Sequence, residues 1–243
     1  MSKKSSDQVA FSTAQIYKYY FDLAQIFSRR GLKILKTDSH NESGLYSHSI
    51  PLMPALSQGN EAQSVEIDDE ILDLAKTKHP DLRFNSGDIR ALSVEQMFDV
   101  VLDFSSIDHV TGAEFEQVLR GYKQIATFAS IIVWHSDTRS DTSIQTYFPR
   151  ADFSAKLAEA FDSEIVNVLV YADRDRELVH HLVGVGPASE LVPEILRLGV
   201  ISRQVNTEQW ALWRLKTTSL VQMVLKIDLF RDFLSKVHRK LFT

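Results

Sequence analysis

The chain has 243 residues, 44% of them hydrophobic and 24% charged, with a formal net charge of −5. That is the make-up of one globular α/β domain with a modest appendage, long enough to bury a large core without staples. The lack of cysteine excludes disulfides, thiol catalysis and thiolate metal sites, and the acidic balance argues against a general nucleic-acid binder, which needs a basic footprint.

The opening stretch MSKKSSDQVAFS carries no apolar signal core, and no run of about 18 apolar residues occurs in the chain. A cytoplasmic protein is expected. Residues 1–11 are polar, and Ser12 with Gln15 fits a capping box. Ile16, Tyr19, Tyr20, Leu23 and Phe27 then repeat on one helical face. Such a helix packs on a sheet, or its tyrosines close over a ligand as a lid.

Gly31 to Thr37 reads as a first strand with Leu32, Ile34 and Leu35 buried. Lys36-Thr37-Asp38-Ser39-His40-Asn41-Glu42-Ser43-Gly44 follows, polar and with its one glycine late. Pro51 and Pro54 break up Ile50–Leu56, so a helix there is short or displaced. Val65–Ile67 is a second apolar run, ending among Glu66, Asp68 and Asp69. Ile71, Leu72, Leu74 and Ala75 recur at helical spacing until His79-Pro80. Leu82–Phe84 is a short third strand, and Ser86-Gly87-Asp88 turns the chain. An acid at the end of a strand and before a helix is how an open α/β sheet presents a carboxylate to a ribose. A second acid one strand further on can meet the adenine.

Phe98 to Phe104 is nearly all apolar, as a strand covered on both faces should be. Asp99 near its start reads as structural. Asp103 lies at its carboxyl end, where ligands of open sheets sit, so it is a candidate pocket carboxylate; bonding to a neighbouring backbone amide is the alternative. His109 follows, a candidate base or a residue that orders its loop. Glu114 to Ala126 forms a helix with Phe115, Val118, Leu119, Tyr122 and Ile125 on one side. Ala129 to Trp134 is a fifth strand, and His135 stands at its end, a candidate base or a surface residue. Asp103 with Asp137 raises the idea of a divalent-metal site, but no supporting Asp-Asn pair follows the strand, and no metal is expected. Residues 138–150 form a candidate substrate-facing loop. Phe153 to Phe161 is a helix, and Ile165–Tyr171 and Val179–Val185 are a strand pair joined by a charged loop.

Leu191, Ile195 and Leu198 suggest a helix, and a longer one starts near Thr207. Its stripe Phe230, Phe233, Leu234, Val237 and Leu241 is accompanied, from Trp210 on, by seven Lys or Arg against two Asp. A basic amphipathic helix packs on its own domain, or it meets a membrane surface or a protein partner.

The order of these motifs resembles the class I S-adenosylmethionine-dependent methyltransferases. Glu66 matches the acid that ends strand two, Gly87-Asp88 the acid after strand three, Phe98–Phe104 strand four, and Ser105–Val110 the segment after it. The resemblance covers roughly 31–186. It implies a Rossmann-like seven-stranded, mostly parallel sheet with an antiparallel last hairpin. The expected division is an N-terminal helix in 1–30, this domain in 31–186 and a helical C-terminal extension in 187–243. It further implies S-adenosylmethionine as cofactor, with Glu66 on the ribose and Asp88 on the adenine. Ile67 and Ile89 would flank the ring, and Phe104 and Ser105 would border it from strand four. The family's glycine-rich turn is replaced here by Lys36-Thr37-Asp38, as in a subgroup with a polar segment. Lys36 can then pair with the methionyl carboxylate, and Asp38 or Glu42 with the ammonium; the other reading is a decayed, solvated loop. Neither a G-x-G-x-x-G fingerprint nor a P-loop lysine is present, which disfavours a nicotinamide dehydrogenase or a nucleotide hydrolase. The expected activity is methyl transfer to a small-molecule or sugar-containing acceptor, at a hydroxyl, with Asp103 or His135 as base. The alternative is a non-catalytic relative acting as a binding or scaffold module through its basic C-terminal helix.

Overall fold

The computed structural model describes residues 6–45, 49–92, 95–136, 140–141, 146–172 and 176–198. The long C-terminal helix expected from Thr207, Asp137, residues 138–139 and 142–145 of the candidate substrate-facing loop and residues 173–175 of the charged loop lie outside them.

A seven-stranded sheet organises the chain. Its strands are β1 (Lys33–Lys36), β2 (Glu61–Glu66), β3 (Arg83–Ser86), β4 (Phe98–Phe104), β5 (Ala126–His135), β8 (Ile165–Ala172) and β9 (Glu177–Gly184), and a short pair, β6 (Ser140–Asp141) and β7 (Thr146–Tyr147), stands apart. The order across the sheet is β3-β2-β1-β4-β5-β9-β8. The first five of these pair parallel, whereas β9 runs antiparallel to both β5 and β8. This is the expected doubly covered sheet with its antiparallel closing hairpin.

Strand periodicity explains both layers. In β4, Val100, Leu102 and Phe104 enter one core and Val101 enters the other, because successive side chains leave opposite faces. The first core holds helices α1 (Ser6–Phe27), α3 (Met53–Leu56) and α4 (Asp69–Lys78) against the sheet; the second holds α5 (Phe115–Ile125) and α6 (Arg150–Phe161). A single-turn α2 (His40–Ser43) follows β1. Asp68 starts α4 by accepting from the amides of Glu70 at 2.9 Å and Ile71 at 3.1 Å. Acids in its first turn and lysines in its last complement the helix dipole. Asp99 is structural in the expected way: its carboxylate accepts from the Lys33 amide at 2.8 Å and ties β4 to the start of β1.

One boundary differs. The capping box expected at Ser12 lies inside α1, which is already helical at Ser6. A capping pair marks a helix start only where something upstream stops the helix, and 6–27 contain neither Gly nor Pro. Residues 192–198 are helical, as the Leu191 stripe suggested. No helix of the described residues is long and apolar enough to cross a membrane.

Candidate functional site

At the carboxyl ends of β1, β2, β3 and β4 the loops part around a cavity of about 560 Å³. This is where an open α/β sheet leaves a crevice, because the connections diverge to opposite faces. The volume falls within the range of small-molecule and cofactor sites.

Glu66, the last residue of β2, lines it and is 5% exposed. One carboxylate oxygen accepts from the Ser39 amide at 2.8 Å and the other from the Asp68 amide at 3.0 Å. The side chain thus ties the loop after β1 to the loop after β2. Each oxygen keeps a second lone pair for a ligand. Gly87 is also in the wall, where a Cβ would fall 2.6 Å from Val65 Cγ2. Asp88 follows it and faces the cavity, engaged by Arg90: the Arg90 amide donates at 2.9 Å and the guanidinium at 2.6–2.9 Å. The Arg90 side-chain bond holds the Asp88 carboxyl below its usual value. Arg90 continues to Glu114 at 3.0 Å. Ile67, 60% exposed, and the half-buried Ile89 lie on the same side of the cavity.

The polar segment after β1 divides in two. Thr37 and Asp38 line the cavity. Lys36 and Glu42 do not reach it: both are fully buried. Lys36 Nζ donates to the Asp38 carbonyl at 2.5 Å, to Asp38 Oδ1 at 2.9 Å and to Glu42 Oε2 at 3.1 Å. Glu42 Oε1 accepts from the amides of Leu52 and Met53, each at 2.9 Å. Burial pulls the Lys36 pKa down, but Asp38 and Glu42 more than offset it, and the ammonium is held above its usual value. The ion pair is therefore a strut that shapes the loop from behind. Asp38 Oδ2 is left on the cavity side, with Ser106 Oγ at 3.5 Å.

Phe104 and Ser105 are in the wall as expected. Ser105 adopts φ +68°, the left-handed region that costs a non-glycine residue. Its amide donates to the Ile132 carbonyl at 2.8 Å, which fixes the bend.

Both expected bases lie elsewhere. Asp103 is wholly buried on the α5 side. It accepts from Tyr122 Oη at 2.5 Å and from the Ser106 amide at 2.7 Å. Burial, only partly offset by the Tyr122 and Ser106 bonds, pushes its pKa up to about 7. It supports the floor of the loop without touching the cavity. His135 is 1% exposed and sits beside Phe153. Its Nδ1 is 3.0 Å from the Phe148 carbonyl and its Nε2 2.7 Å from His181 Nε2. Burial lowers its pKa to about 4. The physical reason is shared. Chain position puts both residues at strand ends, but strand parity turns them to the α5–α6 face, while Phe104 and Trp134, one residue away, face the cavity.

Several wall residues were not proposed for the site from the sequence: Trp134, Tyr17, Ile16, Val110, Asn41, Ser106 and His40; His109, read as a base or a loop-ordering residue, is in the wall as well. Trp134 was findable from the parity of β5. The α1 residues were not, since nothing in the sequence says where an N-terminal helix crosses a sheet. Tyr20 unites the two roles offered for that helix, being buried and yet part of the wall. Among the described residues no group of three His, Asp or Glu gathers as metal ligands do.

No protein-family model and no curated protein matches the chain by sequence. Solved structures match it by fold. A TehB-like S-adenosylmethionine-dependent methyltransferase from Corynebacterium glutamicum superposes with a TM-score of 0.52 at 16% identity, over 69% of this chain and 88% of that one. Magnesium protoporphyrin IX methyltransferase from Synechocystis PCC 6803, with bound S-adenosylmethionine, gives 0.54 at 14% identity, over 76% and 86%. An amino pentose methyltransferase from Micromonospora echinaspora gives 0.51 at 14% identity, over 75% and 98%. The fold is that of the class I S-adenosylmethionine-dependent methyltransferases.

Proposed function

We propose that the protein binds S-adenosylmethionine in this cavity and directs methyl transfer to a hydroxyl of a small-molecule or sugar-containing acceptor. The observation that carries the reading is the pairing of Glu66 and Asp88 along one wall, at the ends of β2 and β3, with Ile67 and Ile89 beside them. A carboxylate with free lone pairs suits two ribose hydroxyls, and two aliphatic side chains suit the faces of a purine. Asp38, held from behind by Lys36 and Glu42, suits the methionyl ammonium and stands where the family has glycine. Two solved neighbours with this fold, the amino pentose enzyme and the porphyrin enzyme, carry S-adenosylmethionine.

The cofactor would supply an activated sulfonium methyl, so the protein has no hard chemistry to perform. Its residues would align the acceptor, exclude water and move one proton. Asp103 and His135 cannot contact an acceptor in this cavity. His109 and His40 are in the wall, and His109 would take the proton. Asp103 would instead be a positioning residue, through Ser106.

A second reading has its own support. Arg90 occupies much of the Asp88 carboxylate, which competes with an adenine amino group, and a non-catalytic binding protein would leave the pair undisturbed.

Calorimetric titration with S-adenosylmethionine and S-adenosylhomocysteine separates the two. The expected result is micromolar binding, weakened at least about tenfold by Glu66→Gln, since a charge-assisted hydrogen bond contributes about 1.5–3 kcal/mol. Asp88→Asn should weaken it less, because Arg90 already shares that carboxylate. A folded protein that binds neither compound would favour the non-catalytic reading.

A further inference from the structure

The half of the cavity away from Glu66 and Asp88 has a distinct chemistry. Its wall is Ile16, Tyr17 and Tyr20 from α1, Phe104 from β4, Val110 from the loop after it and Trp134 from β5. Three of these rings, Tyr17, Tyr20 and Phe104, touch in succession. Tyr17 and Tyr20 are 5.8 Å apart by centroid, edge to face, and Tyr20 and Phe104 are 5.0 Å apart. Trp134 is held firmly: its amide donates to buried Asp108 at 3.3 Å, the Arg176 guanidinium lies 4.3 Å over its ring, and Tyr171 packs edge-on at 6.1 Å. A ring fixed in this way is a pre-formed stacking surface.

The charges point the same way. Among the described residues of the wall the one Lys or Arg is Arg90, and it is spent on Asp88 and Glu114. The other cation nearby, Arg176, is outside the described wall and is engaged by the Trp134 ring and the Tyr147 hydroxyl. Polar side chains in this half are the Tyr17 and Tyr20 hydroxyls, the His40 and His109 imidazoles, and Ser105 and Ser106, whose hydroxyls are engaged by the Ile132 carbonyl and by Thr37 and Asp38. A hexose laid against the aromatic and aliphatic side chains of this half would bring more hydroxyls than they can pair, and each unsatisfied one costs free energy.

The base is the third constraint. With Asp103 and His135 on the other face of the sheet, and Asp38, Glu66 and Asp88 assigned to the cofactor, the bases left in the described wall are the imidazoles of His40 and His109. A phenol ionises near 10, against about 16 for water, so an imidazole suffices for the phenol.

From these observations we infer that the acceptor is an uncharged planar aromatic compound bearing a phenolic hydroxyl, stacked against Trp134 and the Tyr17–Tyr20 pair. The inference rests on the methyl-transfer reading above and narrows it. In the reaction the phenolic oxygen uses a lone pair to form the O–CH3 bond. The S–CH3 bonding pair stays on sulfur, which becomes a neutral thioether. The phenolic proton passes to the His109 imidazole and on to water.

The test uses the full chain and 2-naphthol as probe, titrated by calorimetry with and without S-adenosylhomocysteine, against methyl glucoside and uridine diphosphate glucose. Naphthol should bind, and neither sugar should bind within about tenfold of it. Trp134→Ala and Tyr17→Ala should each weaken naphthol about tenfold, the scale of one lost aromatic contact and its buried area. Incubation with S-adenosylmethionine should yield the methyl ether, seen by mass spectrometry. Absence of naphthol binding, a sugar that binds as tightly, or naphthol binding indifferent to both variants would overturn the inference. The titration with S-adenosylhomocysteine alone reports on the cofactor reading separately: its failure, with naphthol still bound through Trp134, would remove the transfer step and keep the aromatic site.

Discussion

Lys36 is the residue where burial and charge are most at odds. It is fully enclosed, and so is its partner Glu42. Such a pair adds little to stability over a hydrophobic one, but breaking it leaves a lone buried charge. Lys36→Met should therefore lower unfolding free energy by about 3–5 kcal/mol in urea titration. Adding Glu42→Gln should recover a good part, because the amide oxygen can still accept from Leu52 and Met53. A double variant as unstable as the single one would mean that Lys36 acts through packing. The same residue shows a limit of reading from sequence. Lys36-Thr37-Asp38 was legible as a replacement for a glycine turn, but which side chain faces the cavity and which faces inward depends on a loop whose path is set by distant partners, α3 through Glu42 and β2 through Glu66 and Ser64.

At the scale of the element, the closing hairpin owes its fit to one glycine. Gly184 ends β9 at φ +100°, opposite Phe128 of β5, and a Cβ there would lie 2.2 Å from the Thr127 carbonyl oxygen. Gly31, before β1, has φ +70° with nothing within 4 Å of the same position. Gly31→Ala should cost only the left-handed backbone term, about 1–2 kcal/mol. Gly184→Ala should cost about 1–3 kcal/mol more, since backbone atoms must also move. Equal losses in urea unfolding would show that β9 yields freely. Elements were largely legible: the strands Phe98–Phe104 and Ile165–Tyr171, and the helix after Asp68, agree with the structure to within a residue or two. Their period-2 and period-3.6 patterns are local properties of the chain.

Over the whole molecule, buried histidines and buried carboxyls oppose each other in their pH dependence. Burial lowers His135 to about 4, His180 to about 3 and His181 well below its usual 6.5. Their contribution is present above pH 6.5 and is lost as pH falls through those lowered values. Asp103 is raised by burial to about 7, and Asp108 is raised in the same direction. Their contribution is present below the usual carboxyl value and is lost as pH rises toward 7. The two trends offset each other between the two ranges. Asp103→Asn should uncover the histidines, so that stability falls more steeply than in the parent from about pH 7 to about pH 5. His180→Gln, which removes the bridge between Tyr19 at 2.8 Å and Ser130 at 2.7 Å, should make the fall shallower. Urea unfolding at both pH values checks the two slopes, and parallel slopes in all three proteins would show that these groups do not titrate between those limits.

What the sequence determined by itself is what depends on near neighbours: the strand and helix periods, the order of the acids Glu66 and Asp88, and through that order the class of fold. What only the tertiary structure decided is which residues share a space. Asp103 and His135 stand at the right ends of their strands and leave by the wrong face, while Tyr17 and Trp134, over a hundred positions apart, meet at one cavity. The reason is that facing is set by strand register and by where a helix crosses the sheet, and both arise from packing between segments that the local pattern of either one does not contain.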